Sequence, residues 1–460
     1  MKNIYDKVNS LDKKCYDKYF LSEDILMEHA ALGIYNHIIS KFINNQNILI
    51  VCGSGNNGAD GLVLARLLYK QFHIEVYLSS NAKSKIAKLQ KKRTKSLGIN
   101  FIKDITDIKY DLVIDCLFGS GLNKSLNSKY INIINKMNNI KAYKIACDIP
   151  SGININGQIE NICFKADSTI TMGAYKRCLF SDYAKNFVGD IIKVDLGLDS
   201  SFYEEPSNIK LLEKSDLKIP IRTNKNTNKG SFGHLAIVLG NKKGAGLISC
   251  NTAISFGVGL VTAITDDENI SYSLMYSNKL PTNTTAIAIG MGLGNNFDKS
   301  ILNNDLPILF DADILYNPII LKHLHKNNIV LTPHPKEFCA LLKLCNIDDI
   351  DIPILQNDRF LYLNKFCTKY PNVIVLLKGA NTLIQQNKTL FINPLGTSAL
   401  SFGGSGDILA GLISSLMAQG YNSLNATIQG TLAHTIAALN YKGNNYSLNV
   451  DDLIKQIKIL

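Results

Sequence analysis

A chain of 460 residues with 46% hydrophobic and 19% charged side chains is too long for one ordinary core and points to two soluble globular domains, or three. The net charge of +11 does not signal nucleic acid: of 49 basic side chains only Arg66, Arg93, Arg177, Arg222 and Arg359 are arginine, the residue favoured for bidentate base and phosphate contacts. No apolar run is long enough to cross a bilayer, the first twenty residues lack a secretion core, and the ten cysteines form no C-x-x-C pair. A cytoplasmic protein is therefore expected, with reduced core thiols at Cys52, Cys116 and Cys147.

In chain order, the first signal is "NILIVCGSG", Asn47 to Gly55, an apolar strand that ends in glycines and leads into the helical run "GLVLARLLYK". "HIEVYLS", "DLVIDCLFGSG" and "YKIACDIPSG" read as further strands, separated by polar helical stretches. Alternation of this kind predicts a parallel sheet covered on both faces. Ligands of such sheets bind beyond the strand C-termini, where the turns "GSGNNGADG", "LFGSGLNKS" and "CDIPSGI" fall. Alone, the first of these indicates only a generic nucleotide loop. The basic run Lys83 to Lys95 keeps Ile86 and Leu89 on one side and reads as a solvated helix face.

The polar stretch Asp199 to Pro220 has no strong period and is read as a linker. From about Ile221 the pattern restarts with the strands "HLAIVLG", "TAIAIGMGLG", "LPILFDAD", "NIVLTPHP" and "NVIVLLKGAN", each closed by a polar or glycine-rich turn. The last of these and the following "LIQQ" make a hairpin, in whose turn Lys378 by itself reads as a solvated lysine.

The densest signal is "SFGGSGDILAGLISSL", Ser401 to Leu416. Ile408, Leu409, Leu412, Ile413 and Leu416 fall on one face of a helix, so Gly403, Gly404 and Gly406 stand at its N-terminus. Unpaired N–H groups there attract an anion, and glycine lets a phosphate approach closely. Asp407 lies on the first turn beside that anion. It is either an acidic helix cap or a base that takes a proton from a hydroxyl while the amides hold a transferring phosphoryl group.

In this order "ILMEHAA", "NNGADG", "FGSGL", "DIPSG", "TMGAYK", "KGSFGH", "GMGLG", "DAD", "TPHP", "LKGANT" and "GGSGD" run through nearly the whole chain. The set resembles the bifunctional NAD(P)H-hydrate repair enzymes, which fuse an NAD(P)HX epimerase to an ADP-dependent NAD(P)HX dehydratase. The resemblance implies an α/β fold in two domains: a Rossmann-like three-layer sandwich over residues 1–207 and a ribokinase-like domain over 215–460. It implies repair of hydrated NADH and NADPH, by epimerisation of the R and S forms and ADP-dependent dehydration of the S form. NADHX, NADPHX and ADP with Mg2+ would be the small-molecule partners, with K+ in the epimerase half and a homo-oligomeric assembly.

The same resemblance carries substrate contacts onto Asn56, Asn57, Gly58, Ala59 and Asp60, onto Gly119, Ser120, Gly121, Leu122, Asn123, Lys124 and Ser125, and onto Asp148. In the second half substrate contacts fall on Ala245, Gly292, His334 and Asp407, and nucleotide contacts on Lys378, Gly379, Ala380, Asn381, Thr382 and Gly406. A potassium site maps to Asn57, Asp115 and Ser151, whose oxygen donors of low charge suit an alkali cation. Asp148 is the residue expected to handle protons at the hydrated carbon. Exchange of the two epimers by loss and return of water needs an acid–base group there.

Four features depart from the family pattern. Ala59 replaces a glycine, which would be costly at a positive φ; Lys336 and Tyr316 replace glycine and asparagine; and the stretch between Thr262 and Ala286 is short. Two rival readings remain at this level, a vitamin-precursor kinase sharing the second fold and a non-catalytic dinucleotide-binding scaffold.

Overall fold

The computed structural model describes residues 1–105, 109–122, 125–294 and 297–460. It divides into two compact units, residues 3–207 and residues 208–460 with 1–2. Among the described residues, no helix is long and apolar enough to cross a membrane.

The first unit is built on a seven-stranded sheet. Its order is Asn100–Ile102, His73–Leu78, Asn47–Cys52, Leu112–Cys116, Tyr143–Cys147, Ser168–Met172 and Asp190–Val194, with every neighbouring pair parallel. Ile48, Ile50 and Cys52 pack into one core while Leu49 and Val51 pack into another, which is the two-residue period of a strand buried on both faces. Helices Glu23–Lys41 and Asn56–Leu68 cover the first face and Ser128–Asn139 the second. The strand order reverses between Asn47–Cys52 and Leu112–Cys116. A crevice opens at such a switch point because the connections leave in opposite directions.

In the second unit the sheet runs Met275–Ser277, Leu260–Ile264, His234–Val238, Ala286–Ile289, Ile308–Phe310, Ile329–Leu331 and Ile374–Leu377, all parallel. Thr382–Gln386 and Thr389–Asn393 follow antiparallel, and Ile209–Leu211 adds in parallel at the end. Helix Ser405–Ala418 packs between Lys243–Ser255 and Ser423–Asn440 and is buried on nearly all sides, not on the one face its period suggested. A Cβ on Gly411 would lie 2.6 Å from the Ser249 carbonyl, so the first two helices touch backbone to backbone. Each fully buried Leu or Ile on that helix stabilises by about 2 kcal/mol, which makes its N-terminus a rigid platform.

Several expectations are corrected here. Asp199–Pro220 is not a plain linker: it holds the helix Ser200–Tyr203, the strand Ile209–Leu211 and a 3-10 turn, and it buries Tyr203, Leu211 and Leu212. The second unit accordingly starts near Asn208, not at residue 215. Ala59 carries no positive φ, because it lies inside helix Asn56–Leu68. The position that demands glycine is Gly58, where a Cβ would sit 2.1 Å from the Gly53 carbonyl oxygen. In helix Lys85–Ser96, Ile86 is buried but Leu89 is exposed, and Ala87, Gln90 and Thr94 complete the inner face. Gln90 belongs there because its amide donates to Asp24 at 2.9 Å. Strand Leu260–Ile264 is also additional, although its apolar run after two glycines was a legible signal.

Candidate active sites

In the first unit, a cavity of about 500 Å3 lies over the switch point. Of the residues expected to bind substrate, Asn56, Asn57, Asp60, Gly119, Ser120, Gly121 and Asp148 line it. Leu122 points into the hydrophobic core and Ser125 donates to Glu160 at 3.2 Å, so neither side chain is in the lining. Gly58 and Ala59 are buried in the helix behind it. Asn123 and Lys124 lie outside the described residues.

Asp148 follows the strand Tyr143–Cys147 with φ 71, a left-handed conformation that aspartate tolerates better than most residues but that still stores strain. Its N–H donates to the Ile170 carbonyl at 2.8 Å, which pins the turn. Its Oδ1 lies 2.6 Å from the Lys176 ammonium, an ion pair with both side chains largely buried. A Cβ on Gly119 would come within 3.2 Å of the Asp148 carboxylate and 3.4 Å of the Asn57 amide, so glycine there leaves both groups open to the cavity.

Four carboxylates share this cavity with one lysine: Asp12, Glu23, Asp60, Asp148 and Lys176. Burial, and then repulsion from Asp148, Glu23 and Asp12, push Asp60 well above the ordinary carboxylate range. Burial also raises Asp12, against the hydrogen bond donated by the Tyr203 hydroxyl at 2.7 Å. Lys176, Asp12 and Glu23 had not been singled out from the sequence. Lys176 ends the "TMGAYK" motif, so the motif was visible but its pairing with Asp148 was not.

Asp115 and Ser151 are in direct contact. The Ser151 hydroxyl donates to Asp115 Oδ1 and its N–H to Oδ2, each at 2.7 Å, and the Leu117 N–H adds a third bond at 3.1 Å. Burial moves Asp115 up to about 6 in spite of these donors. Asn57 stands against Gly119 and Asp148, and its buried amide nitrogen has no hydrogen-bond partner. The Asp115 carboxylate and the Ser151 hydroxyl form a hard oxygen pair, and Asn57 carries an amide oxygen of the same character.

The second unit gathers its polar residues at the N-terminus of helix Ser405–Ala418. Gly404 caps it at φ 100, the left-handed region open to glycine. A Cβ on Gly403 would meet nothing within 4 Å, and one on Gly406 would meet only the Lys378 side chain, at 3.4 Å. The helix start is therefore an uncovered set of amides with one ammonium beside it, a fit for phosphate oxygens. The Lys378 ammonium is held by Asp311 Oδ1 at 2.6 Å, and that same oxygen accepts from the Thr332 hydroxyl at 2.8 Å. Lys378 is thus not the solvated hairpin lysine of the simpler reading.

Asp407 is half-buried on the first turn. Burial, followed by repulsion from Asp311 and offset by Lys378, moves it up to about 6. The Ser249 hydroxyl donates to the Asp407 carbonyl at 2.8 Å, which joins the first turn to the helix that carries Ala245. Gly292 reaches the same corner, because its carbonyl accepts from the Lys242 N–H at 2.9 Å. Tyr316 and Lys242 line a smaller cavity of about 300 Å3 there, with Asn241, Gly294 and Asp313. His334 caps helix Pro335–Leu344. Its Nδ1 accepts from the Lys336 and Glu337 N–H groups at 3.1 and 3.3 Å, and its Nε2 lies 2.9 Å from Glu337 Oε1. Both ring nitrogens are occupied, which leaves the exposed ring face for contact.

Two further residues escaped the sequence. Asp311 opens the quoted "DAD" motif, yet nothing local marks it as the partner of Lys378. His434 is buried beneath the glycine turn, 3.2 Å from the Ser405 hydroxyl, and burial lowers it to about 4, so it is neutral at physiological pH.

Comparison with known proteins follows the same division. Residues 23–178 match the family described as YjeF-related protein N-terminus, and residues 235–459 match the family described as NAD(P)H-hydrate dehydratase. A bifunctional NAD(P)H-hydrate repair enzyme of Helicobacter pylori is 43% identical, with all of both chains covered. One from Coxiella burnetii is 33% identical over 96% of this chain and 95% of its own. Among solved structures, an ADP/ATP-dependent NAD(P)H-hydrate dehydratase from Bacillus subtilis, co-crystallised with ATP/Mg2+, covers 55% of this chain and 97% of its own at 22% identity and a TM-score of 0.46. Full-length similarity through both halves displaces the vitamin-precursor kinase and the non-catalytic scaffold.

Proposed function

The chain belongs to the family of bifunctional NAD(P)H-hydrate repair enzymes, and from that premise we propose how its two halves divide the work. Residues 1–207 interconvert the R and S hydrates, and residues 208–460 return the S hydrate to NADH or NADPH with ADP. The observation that carries this reading is the 43% identity with a bifunctional relative, which covers the whole of both chains. Two separate polar sites, one in each unit, agree with it.

In the first half, Asp148 is paired with the Lys176 ammonium beside the open Gly119 position, and burial with repulsion from Asp148, Glu23 and Asp12 raises Asp60 well above the ordinary carboxylate range. A proton held by the Asp148–Lys176 pair passes to the C6 hydroxyl, water leaves as the ring nitrogen lone pair forms the C=N bond, and the Asp148 carboxylate stabilises the cationic ring. Water returns to either face and gives its proton back to the Asp148–Lys176 pair, which exchanges the epimers without net change.

In the second half, Asp407 accepts the proton of the C6 hydroxyl while the hydroxyl oxygen takes the terminal phosphoryl group of ADP and AMP departs. The amides of Gly403, Gly404 and Gly406 and the Lys378 ammonium hold the phosphates, with the Gly379–Thr382 turn beside them. Phosphate is a far better leaving group than hydroxide, so the nitrogen lone pair expels it, and loss of a C5 proton restores the double bond. Magnesium carried by the nucleotide would neutralise phosphate charge at this helix start. Ala245, Gly292 and the His334 ring face border the space left for the hydrate.

The direct test is incubation with NADHX, with and without ADP, followed by the reduced-nicotinamide absorbance; no ADP-dependent recovery would overturn the reading. A fragment of residues 208–460, which retains the strand Ile209–Leu211, is expected to convert the S hydrate quickly and then slow to the spontaneous epimerisation rate. Adding residues 1–207 in trans should remove the slow phase. One fast phase from the second fragment alone would refute the division.

The potassium site is proposed at Asn57, Asp115 and Ser151, supported by their oxygen donors and by the direct contact of Ser151 with Asp115. Exchanging potassium for lithium, whose radius is too small for such a cage, is expected to slow epimerisation severalfold. An unchanged rate would remove the site. Ten free thiols, nine of them buried, suit the cytoplasm.

A further inference from the structure

Arg359 begins helix Arg359–Lys369 and is only 4% exposed. Its guanidinium spans one turn of backbone. Nη1 donates to the Asn381 carbonyl at 3.0 Å, and Nη2 donates to the Leu377 and Lys378 carbonyls, each at 2.9 Å. These carbonyls bracket the connection between strands Ile374–Leu377 and Thr382–Gln386. The Asp358 carboxylate caps the helix by accepting the Leu361 N–H at 3.0 Å, which fixes the backbone from which Arg359 extends.

The geometry has a direct consequence for the turn. In a trans peptide the carbonyl and the following N–H point in opposite directions. The N–H after Leu377 belongs to Lys378 and already donates to the Pro333 carbonyl at 2.9 Å. Thr382, after Asn381, is within the strand opposite Asn393. The peptide after Lys378 differs: its carbonyl is drawn inward onto the buried guanidinium, so the Gly379 N–H turns outward, where Gly379 and Ala380 are exposed. Lys378 is at the same time held by its N–H and its carbonyl, and this directs its side chain to Asp311 and Gly406.

We propose that Arg359 is a positioning residue for the nucleotide: it holds the Lys378–Asn381 turn so that the Gly379 N–H and the Lys378 ammonium meet the phosphates. This rests on the assignment of that turn to ADP made above. A lysine cannot replace Arg359, because one ammonium lacks the planar fork that reaches three separated carbonyls.

The test uses the full chain, whose epimerase half reports on intact protein. Arg359→Lys is expected to raise the KM for ADP tenfold or more, with kcat at saturating ADP, the KM for the hydrate and the epimerisation rate close to wild type. A merely structural role would instead lower kcat and shift both KM values together, and that result would overturn the proposal. Lys378→Met separates the two levels of inference. If it weakens ADP and Arg359→Lys does not, the role of Arg359 is wrong; if neither does, the assignment of the turn is wrong. Should Arg359→Lys fold poorly, amide exchange in the wild-type chain decides: ADP should slow exchange at Gly379, and an unprotected Gly379 would overturn the inference.

Discussion

Asp407→Asn is expected to lower ADP-dependent dehydration by roughly a thousandfold, within the range for loss of a general base, while epimerisation in the same chain continues at the wild-type rate. Asparagine keeps the shape of the side chain and its place on the first turn, so the amides of Gly403, Gly404 and Gly406 still bind phosphate. ADP affinity should hold or rise slightly, because a negative charge beside the anion is gone. The pH dependence follows from the upward shift of Asp407 to about 6. The base acts deprotonated, so wild-type dehydration should fall as pH drops through 6, and the residual activity of the variant should lose that limb. Stability moves the other way. With the folded value above the unfolded one, native stability declines as pH rises from about 4 to about 6, and the asparagine variant escapes that decline. Its Tm at pH 7.5 should therefore equal or exceed wild type. Full dehydration activity in Asp407→Asn would remove this residue from the mechanism.

Asp148→Asn should produce the complementary defect, a loss of epimerisation of about a hundredfold or more with dehydration of the S hydrate intact. Asparagine is the informative replacement because it accepts a left-handed backbone as readily as aspartate, so the turn at φ 71 is kept. Lys176 loses its carboxylate but still donates to the Thr171 hydroxyl at 3.1 Å and the Met172 carbonyl at 3.0 Å, and these bonds keep the buried ammonium solvated. The readout is the time course with mixed epimers and ADP: a fast phase for the S hydrate, then a slow phase at the spontaneous rate. A single fast phase would show that Asp148 is dispensable.

The sequence by itself determined the elements and their local chemistry. Apolar runs such as "NILIVC" and "HLAIV" must form doubly buried strands, because nothing else in a chain of this polarity can hide them. Asp407 had to lie on a helix turn opened by glycines, since its place follows from spacing of a few residues. Such features are legible because the backbone period links neighbours directly.

Only the tertiary structure decided which groups meet. Asp311 and Lys378 are 67 positions apart and pair because strands Ile308–Phe310, Ile329–Leu331 and Ile374–Leu377 lie side by side in the sheet. Asp148 meets Lys176 because the chain passes through the neighbouring strand Ser168–Met172 before turning back. The raised Asp60 and Asp407 carboxyls and the guanidinium beneath the Lys378 turn have the same origin. Desolvation and charge coupling act over a few ångströms of space, and it is the order of strands that sets those distances.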